Sequence, residues 1–420
     1  MTDKLKSADM MPSSFGLPLI GQAINLVANQ EKFYWQQQQK YGNIFRISLP
    51  IFGFKNIACL IGPEANRLVL KDGADRLSSR LGNKGLEPIV SQDTVLLKDG
   101  QEHRVSRKLI MPIFHHQAIA SYFETMKFIV ADAVADWGKQ GTIDLNHELR
   151  KLTLAIVAKV FLGIDKPEEI EQVSQWFTTL INKQQLPIVQ WDIPLTSYGQ
   201  GQIARRQIAN YIRQAITLRV RFANARRRKC DDLAQSQDAL SLLLNTVDED
   251  GNKFTETQVI NQAIGFLFAG HETTSSLMTW IFFELGNRPE WRQKLRDEQQ
   301  QVMSNEPIAI QHLRLLTQMS NVIKEGERLY PPAFAISRGV VKDIEYAGYN
   351  IPPGWYVFIF PMLTHLLPEI YPKPDTFDPD RFSPPREEDK KQPFSLIGFG
   401  GGARVRIYSH FGFPIFKRGM

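Results

Sequence analysis

Five consecutive residues, Ala269-Gly270-His271-Glu272-Thr273, place an imidazole, a carboxylate and a hydroxyl inside a long apolar run. Polar groups in such a run cost free energy unless they find partners. Thr274, Ser275 and Ser276, which follow, can satisfy themselves by bonding back to carbonyls one turn earlier. The block before them is the better candidate for chemistry. Gly270 thins a helix where another group could approach. Glu272 and Thr273 could together relay a proton.

Three other sets have chemical potential. Glu325 and Arg328 stand three apart and share a helix face, a spacing that ordinarily gives a surface ion pair of little value. Here Leu329-Tyr330-Pro331-Pro332 ends the helix immediately afterwards. His103 and Arg107 stand four apart and also share a face. That pair is either part of a solvated basic surface or an anion-binding site. Between Gly398 and Gly402 four of five residues are glycine. Such backbone bends sharply or lies against something flat and rigid. Cys59 and Cys230 are the only cysteines, so neither a zinc motif nor a disulfide framework can be built. Cys59, inside an apolar strand, reads as a small core residue.

The elements that must position these residues are mostly helical. Periodicity predicts helices over 30–41, 123–138, 145–162, 166–182, 203–229, 289–302 and 313–329. The longest runs over 255–285 and opens with a capping box, Thr255 and Gln258. At about 1.5 Å per residue it would be roughly 45 Å long, enough to cross a domain. His271 to Ser276 make it too polar to span a bilayer. Short strands are expected over 44–49, 57–61, 340–341, 344–346 and 355–360. Residues 77–97 read as irregular, either a surface loop or a pocket wall. Residues 368–382 are proline-rich and need specific contacts to hold them. The fold class is mainly α with small β-sheets.

The chain has 420 residues, 43% of them hydrophobic, ample for a large core. A net charge of +6 is too mild to argue for nucleic acid. It is spread along the chain apart from one basic cluster, Arg219 to Lys229, which reads as a solvated face or a membrane-surface or partner contact. Residues 1–14 are polar, read as a flexible lead-in, and carry neither a signal peptide nor an anchor. The expected setting is cytoplasmic, with peripheral membrane association left open.

Four motifs, in order, resemble the cytochrome P450 monooxygenases over residues 15–405, taken as a single domain. These are Ala269-Gly270-His271-Glu272-Thr273, Glu325 with Arg328, Phe377-Asp378-Pro379-Asp380-Arg381-Phe382, and the loop Phe399-Gly400-Gly401-Gly402-Ala403-Arg404. Within that family the chain looks similar to the cyanobacterial retinoid-metabolising type. The resemblance implies a haem cofactor, with Phe399 and the propionate-holding His103, Arg107, Arg338 and Arg404 around it. It implies that Thr273 and Glu272 handle protons beside Gly270. It implies a buried ionic cluster of Glu325, Arg328 and Arg381. Ala269, Ala333, Phe334 and Ile336 would line the pocket of a hydrophobic, retinoid- or isoprenoid-like substrate. Oxygen and a separate ferredoxin- or flavodoxin-type electron donor complete the implied reaction.

The resemblance fails at one decisive position. The family loop continues to a cysteine that ligates iron, and this chain has Arg406 there, with Tyr408 at the following glycine position. A guanidinium has no lone pair to offer, so no metal ligand is expected. Residues 406–420 read as an aberrant tail in place of the family's last long helix and terminal hairpin. That pattern suggests a change of reading frame. The expectation is a P450-type chain that is inactive as written. The alternative is a non-catalytic protein that binds a hydrophobic ligand or a partner.

Overall fold

The computed structural model describes residues 5–14, 16–17, 20–184, 190–229, 238–304 and 306–404, with backbone alone for 222–229. Among them are nine helices of eleven residues or more: α1 Gln30–Tyr41, α2 Gly100–Ile110, α3 His116–Trp137, α4 Leu145–Val157, α5 Pro167–Gln184, α6 Ser197–Lys229, α7 Glu256–Gly286, α8 Pro289–Met303 and α9 Thr317–Leu329. The described residues divide into two compact units, one built from residues up to 84 and from 318–404, the other from 85–317.

The first unit holds both sheets. One has three strands, β1 Lys6–Ser7, β6 Ile344–Tyr346 and β7 Tyr349–Ile351, in the order β1-β7-β6. The other has β2 Ile44–Leu49, β3 Phe54–Leu60, β4 Leu77–Ser78, β5 Ile336–Val340 and β8 Tyr356–Ile359, in the order β2-β3-β8-β5-β4. β2 alternates half-buried and buried residues, as its sequence pattern predicts. β3 is buried from Ile57 to Leu60, Cys59 included, which makes that cysteine a core residue. The lead-in departs from the expectation of flexibility. Lys6 and Ser7 pair with Tyr349 and Asn350, and Ala8 and Met11 are buried in the core that contains Trp355 and Ile344. Residues 333–340 also differ from the prediction, because β5 begins at Ile336 and pairs with β8 on one side and β4 on the other.

The second unit is helical around α7. The capping box is present: Gln258 N donates to Thr255 Oγ1, and Thr255 N donates to Gln258 Oε1. No proline interrupts the helix over 31 residues, and its apolar residues occur on nearly every face, so most of it is buried. The predicted helix over 145–162 is α4 followed by a π-helical turn, Ala158–Leu162, closed by Gly163 at φ +64°. No helix among the described residues is long and apolar enough to cross a membrane.

Candidate functional site

In the first unit, α9 presents Glu325 and Arg328 inward, not to solvent, and both are fully buried with Arg381. Arg328 grips the Glu325 carboxylate with two parallel bonds, 2.7 and 2.8 Å. Arg381 Nε adds a third at 3.1 Å and the Asp378 amide a fourth at 2.8 Å. Two guanidiniums on one carboxylate would leave a buried positive charge. Glu388, which the motif does not contain, removes it by accepting from Arg381 Nη1 at 2.7 Å. Arg386 then bonds Glu388 and Asp378, so three acids and three bases close the network. Remaining donors of Arg328 and Arg381 go to the carbonyls of His365, Thr376 and Pro372. The irregular stretch before the glycine loop is held by these bonds.

The glycine loop is fastened to the same helix. His365 is fully buried. Its Nε2 accepts from the Ile397 amide at 2.9 Å and its Nδ1 faces the Arg328 carbonyl at 3.0 Å. That pair of partners requires the neutral ring protonated at Nδ1. Burial drives its pKa down to about 3, so it stays neutral. Glu327 accepts from the Phe399 amide at 3.1 Å. A side chain at Gly398 would overlap Glu327, and one at Gly402 (φ +62°) would overlap the Leu70 carbonyl. The sequence prompted a flat, rigid neighbour for these glycines. For Gly401 and Gly402 that neighbour is the protein itself, the Leu70 turn and the Phe394 ring. Phe399 and Arg404 are half-buried at this loop. Arg338, on β5, is buried, with its Nη1 on the Ser337 carbonyl at 2.8 Å. Of the expected pocket residues in this unit, Phe334 packs its ring 5.4 Å from Tyr34 and 5.9 Å from Phe360. Ala333 and Ile336 are half-buried.

In the second unit, α7 sets its polar block against α4. Arg150 bonds both oxygens of Glu272, each at 2.5 Å. His271 is buried, with Nδ1 3.0 Å from Thr153 Oγ1. Desolvation, reinforced by Arg150 and opposed by Glu272, lowers its pKa to about 4, so it too is neutral. Thr273 Oγ1 donates to the Ala269 carbonyl at 2.7 Å. Gly270 permits close helix packing, because a methyl group there would meet Val157 at 3.0 Å. Glu272 therefore rests in an ion pair, and the space beside Gly270 is taken by α4. In the middle of this helix one stripe stays accessible: Phe268, Ala269, Glu272, Thr273 and Ser276. Their spacing of one, four, five and eight puts them on one side. On α2, His103 is buried and Arg107 half-buried, and burial pushes the Arg107 guanidinium below its usual value.

Sequence reasoning named Glu325, Arg328 and Arg381 and missed Glu327, His365 and Glu388. His365 had a signal, a lone imidazole inside the apolar run Met362-Leu363-Thr364-His365-Leu366-Leu367. Glu388, in a short charged stretch, had none.

The chain belongs to the cytochrome P450 family, whose model matches residues 11–406. It is 29% identical to putative cytochrome P450 120 of Synechocystis, over 97% of this chain and 88% of that one. It is 30% identical to putative cytochrome P450 136 of Mycobacterium tuberculosis, over 93% of this chain and 77% of the relative. A solved structure, retinoic acid bound cyanobacterial CYP120A1, superposes with a TM-score of 0.87 at 27% identity, covering 99% of this chain and 91% of that one. Haem is the cofactor the family implies.

The donors that the resemblance implies for the two haem carboxylates are Arg338 and Arg404 in the first unit and His103 and Arg107 in the second. For the iron the resemblance offers no ligand. The ligand position is Arg406, which lies with the rest of 405–420 outside the described residues. Cys59 is locked in β3, and burial raises its pKa, so it stays a thiol. Cys230 is outside the described residues.

Proposed function

We propose that this chain descends from a monooxygenase acting on a retinoid- or isoprenoid-like molecule, and that the sequence as it stands does not catalyse that reaction. The observation that carries the reading is Arg406, which follows an otherwise matching Phe399-Gly400-x-Gly402-x-Arg404. In the family, thiolate-ligated haem supplies the oxidising chemistry, and the thiolate's electron donation favours O–O cleavage. A cationic side chain at that position has nothing to donate. The hydrophobic substrate class is supported by the half-buried Phe268 and Ala269 on α7 and by the retinoic acid bound to the solved cyanobacterial relative. Electrons would come from a separate ferredoxin- or flavodoxin-type donor.

The test is optical. Protein of this sequence, supplied with haem, reduced and exposed to carbon monoxide, is expected to lack the red-shifted Soret band of a thiolate-ligated haem. Appearance of that band would overturn the reading. Sequencing the gene across codons 400–420 checks its origin: a Cys-x-Gly in another frame, followed by an amphipathic helix, would identify an interrupted monooxygenase gene. Tight retinoid binding by haem-free protein would favour a binding role instead.

A further inference from the structure

Within the first unit, a cavity of about 330 Å³ lies between β2 and the residues that lead into the first helices. Small-molecule sites begin at about this size, roughly 300 Å³. Its frame is built from close backbone contacts. Leu17 and Gly21 exchange both amide–carbonyl bonds, at 3.0 and 2.7 Å. Gly21 (φ +62°) lies so close to the Ser48 carbonyl that a side chain there would overlap it. Gln22, 4% exposed, ties the two walls together. Its Nε2 donates to the Ser14 carbonyl at 2.9 Å, and its Oε1 accepts from the Ser48 amide at 2.7 Å. The cavity is therefore formed before any ligand arrives.

The lining sets the chemistry of an occupant. It holds one cation, Arg46, and no Asp or Glu. Arg46 Nη1 donates to Asp9 at 2.8 Å, and among the described residues Asp9 is the sole partner of that guanidinium. The Asp9 side chain is 68% exposed and stands outside the lining. An ion pair so exposed is weak enough to be displaced. Ser14 Oγ is shut off from solvent and has no hydrogen-bond partner among the described residues, an orphan hydroxyl in the wall. Asn56 adds an amide, and Leu17 and Pro50 supply an apolar side.

We propose that this cavity binds a small organic monocarboxylate with a short apolar body. The guanidinium of Arg46, taken over from Asp9, receives the carboxylate in two parallel bonds, and the body lies against Leu17 and Pro50. A single guanidinium balances a single negative charge, which selects a carboxylate over a doubly charged phosphate. The site owes nothing to haem or to Arg406.

Calorimetric titration of the full chain with sodium hexanoate tests this, with acetate, hexan-1-ol and inorganic phosphate as comparison probes. One hexanoate site is expected, with weaker binding of acetate, which lacks the apolar body, and none of hexan-1-ol or phosphate at equal concentration. Arg46→Gln should weaken hexanoate binding about tenfold or more, the usual weight of hydrogen bonds to a charged group. Asp9→Asn should tighten it about two- to fivefold, because an exposed ion pair no longer has to be broken. A gain of that kind cannot come from damage to the fold. Circular dichroism establishes that each variant is folded, and if Arg46→Gln is not, Asp9→Asn decides alone. Hexanoate bound no better than hexan-1-ol or phosphate, unchanged binding by folded Arg46→Gln, or unchanged or weakened binding by Asp9→Asn would each overturn the proposal.

Discussion

Glu325 has more depending on it than any other acidic residue of the first unit. Its fully buried carboxylate receives Arg328, Arg381 and the Asp378 amide. Removing it leaves the buried Arg328 with no carboxylate and Arg381 with Glu388 alone, so Glu325→Ala is expected to cost about 3–5 kcal/mol in urea unfolding. Glu124→Ala, which breaks the exposed pair with Lys127, should change stability by no more than about 0.5 kcal/mol. Equal effects would mean that the inner cluster is solvated. Glu388→Gln should fall between them, because it unbalances the network while keeping a hydrogen-bond acceptor. The three-residue spacing of Glu325 and Arg328 was legible in the sequence. Their burial was not, since it depends on Arg381 and Glu388, more than fifty residues away.

At the level of elements, α7 was the most readable part of the chain. Its length, cap and polar centre all follow from local pattern. The direction each polar residue faces is set by α4, and no local pattern reports that. Gly270 illustrates the gap. It reads as room for an approaching ligand, yet its missing side chain leaves space for Val157. Gly270→Ala should therefore destabilise the second unit by about 1–3 kcal/mol through overpacking. Val157→Ala combined with it should recover part of that loss, a coupling measurable by a double-mutant cycle. Additive effects would show that the two do not touch. The strands were placed to within a few residues, but β1 and β4, of two residues each, are too short for any alternation to announce them.

Across the whole molecule, each unit contains an imidazole that burial keeps neutral, His365 in the first and His271 in the second. Either ring takes a proton more readily in the unfolded chain, where its pKa is about 6.5. Stability is therefore complete above that value and falls as the pH drops, down to about 4 for His271 and about 3 for His365. The limiting slope is about 1.4 kcal/mol per pH unit for each ring. Urea midpoints measured from pH 7 to pH 4 should show this loss, and His365→Gln should flatten the part due to the first unit. An unchanged slope would remove His365 as its source. The fold class could be read from the sequence because the residues that carry it lie in ordered motifs. Glu327 and His365 could not, because their task is to hold the glycine loop and has no motif of its own. Those supports, with Asn66 and Leu70, all precede residue 405. Under the proposed reading, kinship and competence are written in different parts of this polypeptide. A gene so altered would lose its trade at the iron-ligand position while the features by which its lineage is recognised stay in place, and a census of oxidising enzymes taken by overall likeness would still count it among the living.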